Sequence, residues 1–206
     1  MKKSLFIAFE GIDGSGKSTQ SKLLTERFEN LNHEVHHTFE PTNNEIGAII
    51  RQIIRGEKSA HQTTIAGLFV ADRLDHLLHD DYGMIQYLLK GTHVISDRYY
   101  LSSYAYHAVF MDMDWVIQAN GMSAKLKRPD INIFIDINPE TALERIQKSR
   151  SQMDIYESLN HLNKVRENYF IAFDKVRHQE NIWIVDGDQS QDSLSDMIWN
   201  KISTML

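Results

Sequence analysis

Between an apolar run at residues 5–9 and a helical pattern beginning at Lys17, the chain reads Gly11-Ile12-Asp13-Gly14-Ser15-Gly16-Lys17-Ser18. Glycine loses more freedom on folding than any other residue, so three of them at one junction need a physical reason. The reason offered by the spacing, which fits G-x-x-x-x-G-K-[ST] in full, is a loop whose backbone N–H groups turn inward around an anion that a Cβ would keep away. A helix starting at Lys17 adds the positive end of its dipole to the same point. The expectation is a polyphosphate cradle formed by Gly11, Ile12, Asp13, Gly14, Ser15, Gly16, Lys17, Ser18 and Thr19, with Lys17 reaching the terminal phosphates and the Ser18 hydroxyl placed for Mg²⁺.

A cradle of this kind requires a strand before it and a helix after it, and the rest of the chain repeats that alternation. Short apolar runs at 5–9, 34–38, 92–97, 131–137 and 181–186 read as five buried strands. "INIFIDI" and "NIWIVD" are nearly continuous and β-branched, as in strands covered on both faces. Helical patterns lie between them at 17–30, 63–89, 139–149 and 156–176, with a last one from about 193 to 205. The first carries Leu23, Leu24, Phe28 and Leu31 at helical spacing, and the fourth carries Leu159, Leu162, Val165, Tyr169, Phe173 and Val176. Alternating strands and helices predict an α/β architecture: a five-stranded parallel sheet wrapped by helices on both faces, with ligands outside the carboxyl ends of the strands. No repeat or linker interrupts the 206 residues, so a single domain over 1–206 is expected.

Composition narrows the function classes. A net charge of −6 does not suit a general nucleic-acid binder. The chain has no cysteine, which excludes disulfides and thiolate metal sites. The N-terminal apolar run is too short for a secretory signal core or a membrane span, so a cytoplasmic protein is expected. A guanine-reading N-K-x-D is missing as well, and a chain this short with one cradle favours a small-molecule kinase over a GTPase or a motor.

The third strand ends in Asp97-Arg98, at the rim where the cradle also lies. An aspartate there can hold Mg²⁺, and Arg98 offers a planar fork suited to phosphate. These residues carry a family resemblance. "FEGIDGSGKST", the "EP" at 40–41, "LFVADR" at 68–73, "SDRYYLSSYAY" at 96–106 and "RPDINIFIDI" at 128–137 resemble thymidylate kinase in order and spacing over nearly the whole chain. The resemblance implies the P-loop NTPase fold of the nucleoside monophosphate kinases, with ATP as phosphoryl donor, dTMP as acceptor, Mg²⁺ as cofactor and a homodimeric assembly. It implies that Phe69 stacks on thymine and Arg73 donates to a base carbonyl. Four apart on a helix, those two do share one face. It places Ser102 and Ser103 near the base edge and sugar, Tyr106 against the sugar, His107 where relatives have a base-contacting glutamine, and Arg51 beside Arg98 near the acceptor phosphate. Asp13 matches an acidic position that bridges the two nucleotide sites or helps hold the metal.

Phosphoryl transfer needs neutralised charge and excluded water. A basic lid at about 144–158 fits that need, with Arg145, Lys148 and Arg150 as candidate catalytic cations beside Asp13, Lys17 and Arg98, although the same three suit a solvated helix end. The chain departs from the family at Phe39 and Ile155, where relatives often carry arginine, and at Leu101, where several carry an acid. Two other functions share these features. A deoxynucleoside kinase would need a carboxylate base, for which Glu40 is the candidate, and a nucleotide sensor would keep the cradle without turnover. His76 and His79 beside Asp80 and Asp81 suggest a polar helix surface rather than a metal site.

Overall fold

Short apolar runs, buried in the three central strands but only partly covered in the two edge strands, and the helical patterns between them build a single five-stranded parallel sheet, described from a computed structural model for residues 4–149 and 158–206. In chain order the elements are β1 (Phe6–Glu10), α1 (Lys17–Asn30), β2 (Val35–Phe39), α2 (Glu45–Ile54), α3 (Gln62–Leu78), α4 (Met84–Leu89), β3 (His93–Asp97), α5 (Tyr100–His107), α6 (Met113–Ala119), α7 (Gly121–Leu126), β4 (Ile131–Asp136), α8 (Pro139–Ser149), α9 (Leu159–Val176), β5 (Ile182–Asp186) and α10 (Gln191–Ser203). The strand order is β2-β3-β1-β4-β5, with β1 in the centre and every pairing parallel.

Successive strand residues point to opposite faces, and β1 shows what that does here. Phe6 and Ala8 enter a core shared with α5 and α9, where Tyr104, Ala105, Val165 and Tyr169 are buried. Ile7 and Phe9 enter the opposite core, against Leu24 and Phe28 of α1 and Ile198 and Ile202 of α10. Glu10 falls by the same alternation on the α5–α9 side, fully buried.

Three expectations are corrected. The pattern at 63–89 is two helices rather than one, α3 and α4, broken at 79–83 where the His79 ring stacks on Tyr82 at 3.5 Å and the Tyr82 hydroxyl donates back to Asp75 at 3.1 Å. β5 is not covered on both faces, since Ile184 is exposed and only Val185 of the strand is buried. The apolar run at 181–186 could not distinguish an edge strand from a central one, because both carry β-branched residues. His76 is not on a polar surface but buried, its Nδ1 3.2 Å from Glu40 and its Nε2 2.7 Å from the Thr38 hydroxyl. Among the described residues, no group of three metal-ligating side chains occurs. Part of the expected lid, including Arg150 and Ile155, lies outside the described residues.

Candidate active site

The cradle follows β1 directly. Gly14 has φ +80°, and a Cβ there would lie 2.4 Å from the Ala142 carbonyl oxygen of α8, so only glycine lets loop and helix approach. Gly16, the N-cap of α1, has φ +96°, and the space a Cβ would enter holds no protein atom within 4 Å. That open volume belongs to a cleft of about 440 Å³ lined by residues 13–20 together with Arg145, Gly187, Gln189 and Leu194. Arg145 donates to the Gly187 carbonyl at 3.2 Å across its wall, whereas Lys148 is exposed on α8, 3.9 Å from Glu144.

Lys17 is only 5% exposed and folds back over the loop, donating to the Ile12 carbonyl at 2.9 Å with Asp13 4.0 Å away. Burial, helped by the nearby Arg98 cation, brings its amine down to about 8. Arg98 arrives from β3 on a left-handed backbone, φ +74°, which is uncommon for a residue with a side chain. Its N–H bonds to the Phe9 carbonyl at 2.8 Å, and the Ser96 hydroxyl donates to its carbonyl at 2.7 Å. That turn aims the guanidinium at the cradle, where it pairs with Asp13 and lies 4.8 Å over the Tyr106 ring. Tyr106 accepts from the Asp13 N–H and donates to its carboxylate, both at 3.0 Å. Burial pushes the Asp13 carboxyl up, but Arg98, Lys17 and the Tyr106 hydroxyl outweigh it and hold the group down at about 2. Lys17 and Arg98 therefore meet at one carboxylate on the sheet's carboxyl edge.

Ser18 donates to Asp97 Oδ2, while Asp97 Oδ1 is buried with no hydrogen-bond partner among the described residues. An orphaned carboxylate oxygen beside a hydroxyl at the cradle's mouth is an oxygen-only donor set, which fits a hard cation such as Mg²⁺.

A second polar cluster is built around Arg73, which is 1% exposed. Its Nε and Nη2 bond to Glu40 Oε2 at 2.8 and 2.6 Å, Nη2 also reaches the Ser103 hydroxyl at 3.1 Å, and Nη1 bonds to Asn120. Guanidinium has five N–H donors, so one Nη1 hydrogen is left over. Burial opposes the Arg73 cation, but the Glu40 carboxylate more than compensates and raises its affinity for the proton. Phe69, one turn earlier on α3, lies 5.1 Å from the His107 ring. Burial, with Arg73 adding, drives the His107 imidazole down to about 3, so it is neutral. Arg51, on α2, donates to the Pro41 carbonyl at 3.0 Å and to Thr42, whose N–H and hydroxyl bond to Asp72 at 2.8 and 2.6 Å. Its guanidinium thus ties down the loop that carries Glu40.

Sequence reasoning missed three members of this region. Tyr169, read as core packing, does lie on Phe134, but its hydroxyl reaches Glu10 at 3.0 Å and Ser102 at 2.8 Å. Glu10 itself had a visible signal, a carboxylate closing a fully apolar run. Asn120, between α6 and α7, had none.

A phosphate-shaped loop opening a helix at the central strand, with a lysine, an arginine and an acid–hydroxyl pair converging on it, defines a P-loop phosphotransferase of the nucleoside monophosphate kinase type. The thymidylate kinase family model matches residues 9–198. Over 187 residues the chain is 36% identical to a probable thymidylate kinase of Methanocaldococcus jannaschii, covering 90% of this chain and 88% of that protein. A probable thymidylate kinase of Pyrococcus horikoshii is 41% identical over 81% of this chain and 82% of its own length, and that of Thermococcus kodakarensis 41% over 80% and 82%. The chain belongs to the thymidylate kinase family.

Proposed function

We propose that this chain is an ATP-dependent dTMP kinase. A phosphate oxygen of dTMP attacks the γ-phosphorus of ATP, the bond to the β,γ-bridging oxygen breaks, and the products are dTDP and ADP. The observation that supports this reading is the meeting of Lys17 and Arg98 at Asp13, an arrangement that suits one cation for the donor phosphates and one for the acceptor phosphate.

The attacking group is already an anion, so the protein's part is alignment and charge neutralisation rather than proton removal. Cradle amides 11–19 and Lys17 would bind the donor's phosphates. Ser18 and Asp97 would hold Mg²⁺, which when bound neutralises oxygens of the donor phosphates. Arg98 would clamp the acceptor phosphate, with Asp13 fixing the angle of its fork. Phe69 offers a ring face to the base, and the leftover Nη1 hydrogen of Arg73 a donor to a base carbonyl, beside Ser103, Tyr106 and the neutral His107. Arg145, Lys148 and Arg150, from a lid at 144–158, would complete the charge around the transferring group. Arg51 supports the acceptor side and Ser102 the Arg98 fork. One kinase domain spanning 1–206, cytoplasmic and homodimeric, completes the proposal. No described helix is long and apolar enough to cross a membrane, and the acidic net charge suits small anions held by a few placed cations rather than nucleic acid.

The deoxynucleoside kinase reading loses its base. Glu40 is buried, its Oε2 paired with the Arg73 guanidinium and its Oε1 beside His76, so it is not presented to a 5′-hydroxyl. A coupled ADP-release assay with Mg²⁺ tests the assignment: dTMP supports turnover and thymidine does not. Turnover with thymidine, or none with dTMP, would overturn it.

Gly16→Ala gives a second check. A Cβ at this position meets no protein atom, so apart from ~1–2 kcal/mol of backbone strain the fold is kept. ATP affinity by titration calorimetry falls at least ~10-fold, because the methyl group occupies phosphate space. Unchanged affinity would place the phosphates elsewhere.

A further inference from the structure

Behind Arg98 lies a buried polar cluster centred on a carboxylate, Glu10, to which the transfer chemistry assigns no role. The Glu10 carboxylate is fully buried at the end of β1. Its Oε1 accepts from the Tyr99 N–H at 2.9 Å, and its Oε2 accepts from the Ser102 hydroxyl and from Tyr169 at 3.0 Å. Ser102 in turn accepts from Arg98 Nη1 at 2.9 Å. A serine hydroxyl has one proton and two lone pairs. Drawn toward Glu10, the proton leaves a lone pair facing the guanidinium.

We propose that Glu10 and Tyr169 are positioning residues for Arg98: the ionised Glu10 carboxylate orients the Ser102 hydroxyl, which fixes one side of the arginine fork while Asp13 fixes the other. The proposal deepens the phosphoryl-transfer reading and rests on it. Protonating Glu10 removes the anionic acceptor that holds the Ser102 hydrogen: the acid becomes a donor, and the hydroxyl has to turn its own hydrogen away, toward Tyr169 or toward the guanidinium.

The surroundings place this change near neutrality. Burial raises the Glu10 carboxyl to about 7, against the opposing pull of Ser102, Arg98, Tyr169 and the Tyr99 amide. Facing it electrostatically are also Lys17 from α1, Arg73 from α3 and Tyr104 from α5, while β4 presents only Phe134 at that register. The folded-state value lies above the ordinary glutamate value of 4.5. The folded protein therefore binds more protons between the two, and the group's contribution to stability declines as pH rises from about 4.5 to about 7 and is level above. Activity moves the opposite way, rising as Glu10 ionises.

The test compares wild type with Glu10→Gln and Tyr169→Phe over pH 6 to 8, measuring kcat/KM for dTMP at saturating ATP and melting temperature at each pH. Titration of the substrates cancels in the ratio of wild type to Glu10→Gln, which rises roughly tenfold across the range with a midpoint near 7. Glu10→Gln melts at or above the wild-type temperature at pH 8, where the wild type holds a desolvated charge. Tyr169→Phe keeps the ring against Phe134 but removes a donor that favours the carboxylate, so its activity midpoint moves up by roughly half a unit or more. If Glu10→Gln does not fold, the Tyr169→Phe midpoint decides alone. A flat ratio, or an unshifted midpoint in Tyr169→Phe, overturns the proposal while leaving dTMP kinase activity standing. A wild type that makes no dTDP overturns the function reading instead.

Discussion

Arg98→Ala lowers kcat/KM for dTMP phosphorylation by about 10³-fold, or ~4 kcal/mol of transition-state stabilisation. Two losses combine. The acceptor phosphate loses a planar two-pronged donor, and Asp13, left with only Lys17 at 4.0 Å and the Tyr106 hydroxyl, becomes a less compensated charge beside the cradle. Arg98→Lys restores little, because an ammonium cannot bond to Asp13, Tyr106 and Ser102 at once as the fork does. Steady-state kinetics on the folded variants, checked by circular dichroism, decides this, and a loss under tenfold would mean that the acceptor phosphate is held elsewhere.

Glu40→Gln has the largest expected effect on stability. The Arg73–Glu40 pair is 1% and 2% exposed, and breaking a buried pair from one side leaves an uncompensated charge at a cost of about 3–5 kcal/mol. Asn120 and Ser103 remain as neutral acceptors but supply no opposing charge. For a chain of this length that corresponds to a melting temperature lower by about 10 °C, and urea unfolding gives the free energy directly. A change below about 1 kcal/mol would show that the neutral partners suffice. Acceptor KM rises in the same variant, since Arg73 loses the contacts that aim its last N–H.

How far the sequence reveals this molecule depends on which forces are local. The cradle was legible residue by residue, because its requirements, glycines for positive φ and a helix start for the dipole, lie within eight consecutive positions. The parallel sheet was legible from the alternation of short β-branched runs with helical patterns. Strand order within the sheet was not, so the exposure of Ile184 at the edge came only with the structure. Partnerships across the chain were harder still. Arg73 could be singled out from its motif, but its bonds to Glu40 and Asn120 join positions 33 and 47 apart in sequence. Tyr169 shows the limit most clearly: helical periodicity put its ring in the core, where it is, and said nothing about a hydroxyl that reaches Glu10, 159 positions away. The left-handed backbone of Arg98 carries no residue-type signature at all, since glycine would be the usual sign of it.

The contact between Gly14 and Ala142 joins two parts of the machine that are far apart in the chain. Loop and α8 meet backbone to backbone, with no compressible side chain between them. α8 bears Arg145 on the cleft wall and Lys148 outside it, so those cations ride on a rod whose base rests on the phosphate loop itself. Tightening of the loop around a bound nucleotide would press on α8 at the Ala142 carbonyl. Larger residues at position 14 would act as a wedge, prising the rod off its seat even where the remaining loop geometry could be tolerated.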